Sequence, residues 1–317
     1  MVEIKASKMD SAPPPIHTVA TVLLMILLSY LLRPSLEDID HIASVETFTN
    51  TVFPSLESST LGWIRIAFAC TIYATTLKNI VEGNVIRPTY LPGSKLASPT
   101  LDFTGRNGFK TQGFFTQWSW ILLGYSFLSS GIIAILASNE QDAMISPWLL
   151  RSALISFEVA APTAFLVSTV VTYALWPIAF KAKGALGTQN FQKLNGLMMH
   201  NANVFFVLCE VCLLGGLPVK LSHAAVGPVW GAIYVIFSWS MMNYWKPEHG
   251  PVALYFLLDT TLGLKSTVMV LALVAVLLAF YVAFSLLEDA LIFLDGGLVA
   301  HLLGMAVVLK MVCKFRD

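Results

Sequence analysis

Charge is what this chain has least of. Lys and Arg together number 19 and Asp and Glu 19 in 317 residues, so charged side chains make up 12% and the formal net charge is zero. That is about half the charged share of an ordinary soluble domain. With 56% hydrophobic residues and a mean hydropathy of +0.72, the chain reads as an integral membrane protein. No run of Lys or Arg interleaved with aromatics occurs, so nothing points to a nucleic-acid partner. The four cysteines, Cys70, Cys209, Cys212 and Cys313, all lie in or beside apolar runs, which does not resemble a secreted disulfide framework. Cys209 and Cys212 have metal-like spacing but no second pair, and read as small buried thiols rather than zinc ligands. The sequence has no Gly-x-Ser-x-Gly elbow, no His-Glu-x-x-His helix, no glycine-rich phosphate loop and no haem or flavin fingerprint, so no cofactor or metal is implied. It also lacks an Asn-x-Ser/Thr sequon, a useful internal repeat and a low-complexity region.

What is present is a series of apolar stretches near the ~20 residues that a spanning helix needs. They predict an all-α, multipass transmembrane helical bundle of about seven to eight spans. Residues 1–16, with the Pro13-Pro14-Pro15 run, read as a disordered tail, and 17–317 as a single transmembrane domain. The first stretch, Val19 to Leu32, meets no small-x-small cleavage site before Arg33-Pro34 and is expected to be an uncleaved span. Further spans are expected near Gly62 to Ile80, Phe114 to Ala137, Leu150 to Phe180, Leu194 to Leu217, Ala224 to Tyr244 and Leu264 to Leu287. A last stretch, Ala290 to Val312, is interrupted by Asp295, Gly296, Gly297 and His301. Arg65 lies near one end of its span, where it is expected to snorkel. Pro162 is expected to free a carbonyl and bend the fourth span. Residues 81–113 form the largest polar loop, rich in Pro and Gly, with turn chemistry and no helical period.

Loops 81–113 and 181–193 and the tail with Lys310, Lys314 and Arg316 are basic; loops 34–60 and 139–149 and the Glu288-Asp289 pair are acidic. This alternation predicts cytoplasmic termini. The lack of a lipidation box or retention tetrapeptide leaves endoplasmic reticulum and plasma membrane equally open. Oligomeric state is not legible.

The stretch from Leu194 to Leu217 concentrates polar residues in a hydrophobic setting. On an ideal helix Asn203 falls about −60° from His200, and Glu210 and Gln192 about −80°, one stripe some 27 Å long. Polar and ionisable side chains at membrane depth mark a site by default; the alternative is interhelical hydrogen-bond glue. His200 can exchange a proton near neutral pH. A hydroxyl nucleophile would come from another span, with Thr116, Ser119, Ser168, Thr169, Thr172, Ser238 and Ser240 available; spacing does not choose among them.

Three groups of residues resemble the androgen-induced and androgen-dependent family of multipass membrane proteins, to which the rolling-stone proteins are distantly similar. Leu194-Asn195, then His200 and, ten residues on, Glu210 resemble its central helix. Gly108-Phe109-Lys110 followed by Phe114-Phe115-Thr116 resembles its loop leading to a Thr just inside a span. Tyr255-Phe256-Leu257-Leu258-Asp259 resembles its aromatic-Pro-Phe-Leu-acidic stretch. The resemblance covers about residues 60–287 and implies a six-span core with extra terminal segments. It also implies a hydrolase of fatty acid esters of hydroxy fatty acids that draws lipid substrate from the bilayer. Carried over, Thr116 is the nucleophile and His200 its base; Asn203 is a candidate oxyanion or orienting group and Glu210 a family marker with a packing or hydration role. The competing reading is a non-catalytic transporter or scaffold in which the stripe, with Glu158, Asp295 and His301, lines a path or ties helices.

Overall fold

The computed structural model describes residues 11–294 and 297–313. The expectations for residues 1–10 and for Asp295, Gly296, Lys314 and Arg316 lie outside the described residues. The fold is all-α apart from one two-residue strand pair, Val85 with Asp102 and Ile86 with Leu101. The helices are α1 (Ile16–Leu31), α2 (Leu36–Ile42), α3 (Val45–Thr49), α4 (Ser58–Glu82), α5 (Phe115–Ser138), α6 (Pro147–Val170), α7 (Trp176–Lys183), α8 (Ala185–Gln192), α9 (Leu194–Leu197), α10 (Asn203–Leu213), α11 (Val226–Ser240), α12 (Leu264–Leu294) and α13 (Gly297–Val312). Among the described residues six helical stretches are long and apolar enough to cross a membrane, or up to seven if α1 and α2, bent by 69°, count as one. The multipass all-α architecture is therefore the one the apolar lengths dictate, with α1 and the 16-residue α13 as further helices toward the chain ends.

Local chemistry explains the breaks. Helix α1 stops before Pro34, which has no N–H to donate and disfavours helical geometry in the residue before it. Ser35 then starts α2 through a capping box: its hydroxyl accepts the Asp38 N–H at 3.0 Å, and the Asp38 carboxylate accepts the Ser35 N–H at 3.2 Å. Ser146 caps α6, accepting the Leu149 N–H at 3.2 Å, with Pro147 in the first turn, where a missing N–H costs nothing. Pro162 sits inside α6 without ending it.

The chain forms two compact units: residues 11–32, 78–115 and 228–275 make one, and 33–77, 116–227 and 276–313 the other. The first carries the long loop, which is ordered around the strand pair and a 3-10 segment, Gly105–Gly113. Leu101, Phe103, Trp245, Val252 and Leu254 form a buried core beneath it. Gly113 lets the Trp245 ring close in: a Cβ there would lie 2.2 Å from the ring. The second unit holds the most deeply buried helix, α6, in a span that is 78% buried. Here α4 and α5 touch backbone to backbone, since a Cβ on Gly62 would come within 2.9 Å of the Gly131 carbonyl and one on Gly131 within 2.8 Å of the Gly62 carbonyl. Small residues at a membrane helix crossing permit that approach. Phe206 on α10 stacks on Phe68 of α4 and on Trp120 of α5, which fixes α10 against both.

Candidate functional site

Polar side chains gather in several places within the two units; one group holds Thr116, His200 and Asn203, and another holds Glu210. Thr116 stands in the first turn of α5, half-buried. His200 lies in a π turn, Met198–Ala202, between α9 and α10. Such a turn shifts the hydrogen bonds from i−4 to i−5 and recurs at functional positions in helices. The residues next to the two meet: Gln117 Nε2 lies 2.7 Å from Met199 Sδ. Among the described residues no direct hydrogen bond joins Thr116 to His200. His200 Nδ1, Gln117 Oε1 and Asn195 Oδ1 are each buried without a hydrogen-bond partner. Such atoms call for an explanation, because about nine in ten or more buried polar groups are satisfied. The Phe191 ring stands 5.8 Å from the imidazole.

The π turn is held from α6. Ser168 donates its hydroxyl to the His200 carbonyl and lies 3.1 Å from the Asn203 amide oxygen. Asn203 also accepts the Val204 N–H at 2.8 Å and donates to the Ala164 carbonyl at 3.2 Å. Its amide group therefore clamps α10 to α6 and fixes the turn that carries His200.

The uninterrupted stripe from Gln192 to Glu210 is not what forms. Helix α8 ends at Gln192, Lys193 is extended at φ −65° and ψ 152°, and Gln192 is exposed. The π turn then resets the angular phase beyond His200. Ideal-helix angles fail across both features because each changes the residues per turn.

The second group is ionic. Arg65 does not snorkel: it is 0% exposed and forms a two-bond fork with Glu210, Nε to Oε2 at 3.0 Å and Nη2 to Oε1 at 2.6 Å, while Nη1 donates to the Phe48 carbonyl at 2.6 Å. Gly215 makes room, since a Cβ there would lie 2.0 Å from Arg65 Nη2. Glu210, 0% exposed, is the counter-ion of a buried guanidinium. Nearby in sequence, Cys212 gives its carbonyl to His301 Nδ1 at 2.6 Å. Cys209 and Cys212 are buried as expected; Cys313 is buried too, and Cys70 is exposed. Among the described residues no group of three His, Cys, Asp or Glu side chains gathers that would hold a metal.

A third group belongs to the first unit and contains a Thr–His hydrogen bond that the sequence did not reveal. Thr267 of α12 lies 2.7 Å from His17 Nδ1 of α1, and the Thr18 hydroxyl lies 2.8 Å from that of Thr267. Residues 250 positions apart carry no local signal of pairing.

No family model, no curated protein and no solved structure matches the chain; what its helices establish by themselves is an all-α, multipass integral membrane protein with buried polar layers inside its spanning segments.

Proposed function

We propose that the protein is an intramembrane hydrolase of lipid esters, with fatty acid esters of hydroxy fatty acids as the substrate class, using Thr116 as nucleophile and His200 as its base. The observation that supports it is the buried, unpartnered Nδ1 of His200 in a π turn whose neighbour Met199 touches Gln117 of the Thr116 turn. An imidazole whose buried ring nitrogen has no partner can, in the tautomer that leaves that nitrogen unprotonated, take a hydroxyl proton. Thr116 Oγ1 attacks the ester carbonyl as His200 takes its proton. The acyl–oxygen bond breaks and His200 returns the proton to the departing alkoxide. Water, deprotonated by the same imidazole, then attacks the acyl-threonine; the acyl–Oγ1 bond breaks, the acid leaves and His200 returns the proton to Thr116 Oγ1. Asn203 acts as an orienting residue through Ser168 and the His200 carbonyl. An apolar ester reaches such a site from the bilayer.

The test is hydrolysis of a panel of long-chain acyl esters by the full-length protein in lipid nanodiscs. Thr116→Ala and His200→Ala each abolish turnover while expression is retained; full activity in either variant ends the dyad assignment.

A second reading, a non-catalytic scaffold or transporter, is favoured by the ionic pair, in which Arg65 and Glu210 satisfy one another and tie α4 to α10. Solute or proton flux in liposomes that is indifferent to Thr116→Ala supports it over the hydrolase.

A further inference from the structure

A separate cluster in the second unit carries two buried polar atoms with nothing to bond. Glu158 on α6 and His223, in the 3-10 turn Leu221–His223 that leads toward α11, are each 0% exposed. His223 Nδ1 lies 2.7 Å from Glu158 Oε2, and Glu158 Oε1 accepts the Lys220 backbone N–H at 3.0 Å. A carboxylate accepts, so Nδ1 carries a proton, and in the neutral imidazole Nε2 then presents a lone pair. That Nε2 is buried and unpartnered. One turn further along the same segment, Gly227 admits the Tyr281 ring of α12, since a Cβ there would lie 2.7 Å from Cε2 and 3.3 Å from Cζ. Tyr281 is 0% exposed, its hydroxyl has no partner, and it lies within electrostatic reach of Glu158. The cluster thus offers one bare acceptor and one idle donor, held by a carboxylate on one side and a glycine contact on the other.

We propose that His223 and Tyr281, positioned by Glu158 and Gly227, form a binding site for the hydroxyl group of a long-chain alcohol. Nε2 accepts the hydroxyl proton and the Tyr281 O–H donates to the hydroxyl oxygen. One acceptor and one donor match an alcohol, which has one hydrogen to give. A lone buried water has two and makes about three hydrogen bonds where it is stably held, so it is served less well. The alkyl chain would lie along Leu278 and Val282, which neighbour Tyr281 on α12 and are 37% and 41% exposed to the surroundings of the helix, which in a spanning segment are lipid. The site stands on its own geometry and does not depend on Thr116 or His200.

Thermal unfolding of the full-length protein in nanodiscs tests it, with dodecanol as ligand and dodecyl methyl ether as a control of matched apolarity. Dodecanol raises the midpoint saturably and the ether does not. Tyr281→Phe removes a hydroxyl that no protein group bonds, so its ligand-free midpoint equals or exceeds that of the parent, yet the dodecanol shift disappears. His223→Asn retains an N–H near the Nδ1 position for Glu158 and lacks Nε2, and it too loses the shift. Equal shifts from alcohol and ether, no shift from dodecanol, a shift that survives Tyr281→Phe, or a lowered ligand-free midpoint in that variant each overturn the proposal.

Discussion

Arg65 and Glu210, 145 residues apart, meet as a two-bond fork with neither side chain exposed. Two desolvated charges in an apolar span are tolerated only because each satisfies the other, and the third guanidinium nitrogen is taken by the Phe48 carbonyl. Removing one partner strands the other, at a cost of about 3–5 kcal/mol, whereas replacing both with apolar residues of similar volume is often neutral or stabilising. Arg65→Met and Glu210→Leu alone are each expected to lower the thermal midpoint sharply in nanodiscs, and the double variant to recover most of the loss. Additive losses in the double variant would show that the pair is not coupled.

At the proposed reaction site the sharpest contrast is between conservative and isosteric changes of one residue. Thr116→Ser keeps the hydroxyl and is expected to keep turnover of a long-chain ester; Thr116→Val keeps the shape and is expected to abolish it. Loss of the His200 base is expected to reduce the rate by about 10²–10⁴-fold. Melting of the same variants separates chemistry from folding, since the midpoints are expected to stay close to that of the parent.

Ser168 and Asn203 hold the turn that carries His200. Ser168→Ala leaves the His200 carbonyl and one lone pair of Asn203 without this donor inside the protein, a loss of about 1–3 kcal/mol for a buried group left unsatisfied. Beyond that loss of stability, a lowered kcat with little change in KM is expected, because the imidazole is displaced and the substrate contacts are not. A variant with lowered stability and unchanged kcat would reduce Ser168 to a helix tie.

In the first unit, Asp102 is the last residue of the strand pair and accepts the Thr104 hydroxyl at 2.7 Å and the Thr104 N–H at 2.9 Å. These bonds, the hydroxyl first, hold its carboxyl below the usual carboxylate range. A folded-state pKa below the unfolded one gives stability that is present above the unfolded pKa and is lost as pH falls through the folded pKa. Protection of the Thr104 amide against hydrogen exchange, relative to its intrinsic rate, is therefore expected to fall in acid, and Asp102→Asn to remove that dependence. Protection that declines equally in the Asn variant would place the titrating group elsewhere.

The scarcity of charge and the length of the apolar runs determined the all-α multipass architecture without reference to any contact. Burial of backbone polar groups in lipid forces helices wherever ~20 apolar residues follow one another. Pro34 and Ser35, and Ser146 with Pro147, likewise announced their breaks, because capping is a matter of neighbours in sequence. His200 was legible as an ionisable group inside an apolar run, and Thr116 only through a resemblance. What the tertiary structure decided was every pairing. Arg65 lies near a helix end and reads as a snorkelling cation, yet the fold buries it because Glu210 arrives from another helix. Asn203 reads from sequence either as interhelical glue or as an oxyanion or orienting group, and its partners, Ser168 and the Ala164 carbonyl, come from α6. Gln192 leaves the stripe because the chain breaks at Lys193, and the π turn at His200 alters the phase that 100° per residue assumes. His223, Tyr281 and the Thr267–His17 bond carry no sequence signal at all, since hydrogen bonds between distant spans depend on which helix faces which. Composition acts residue by residue, and pairing belongs to the whole chain.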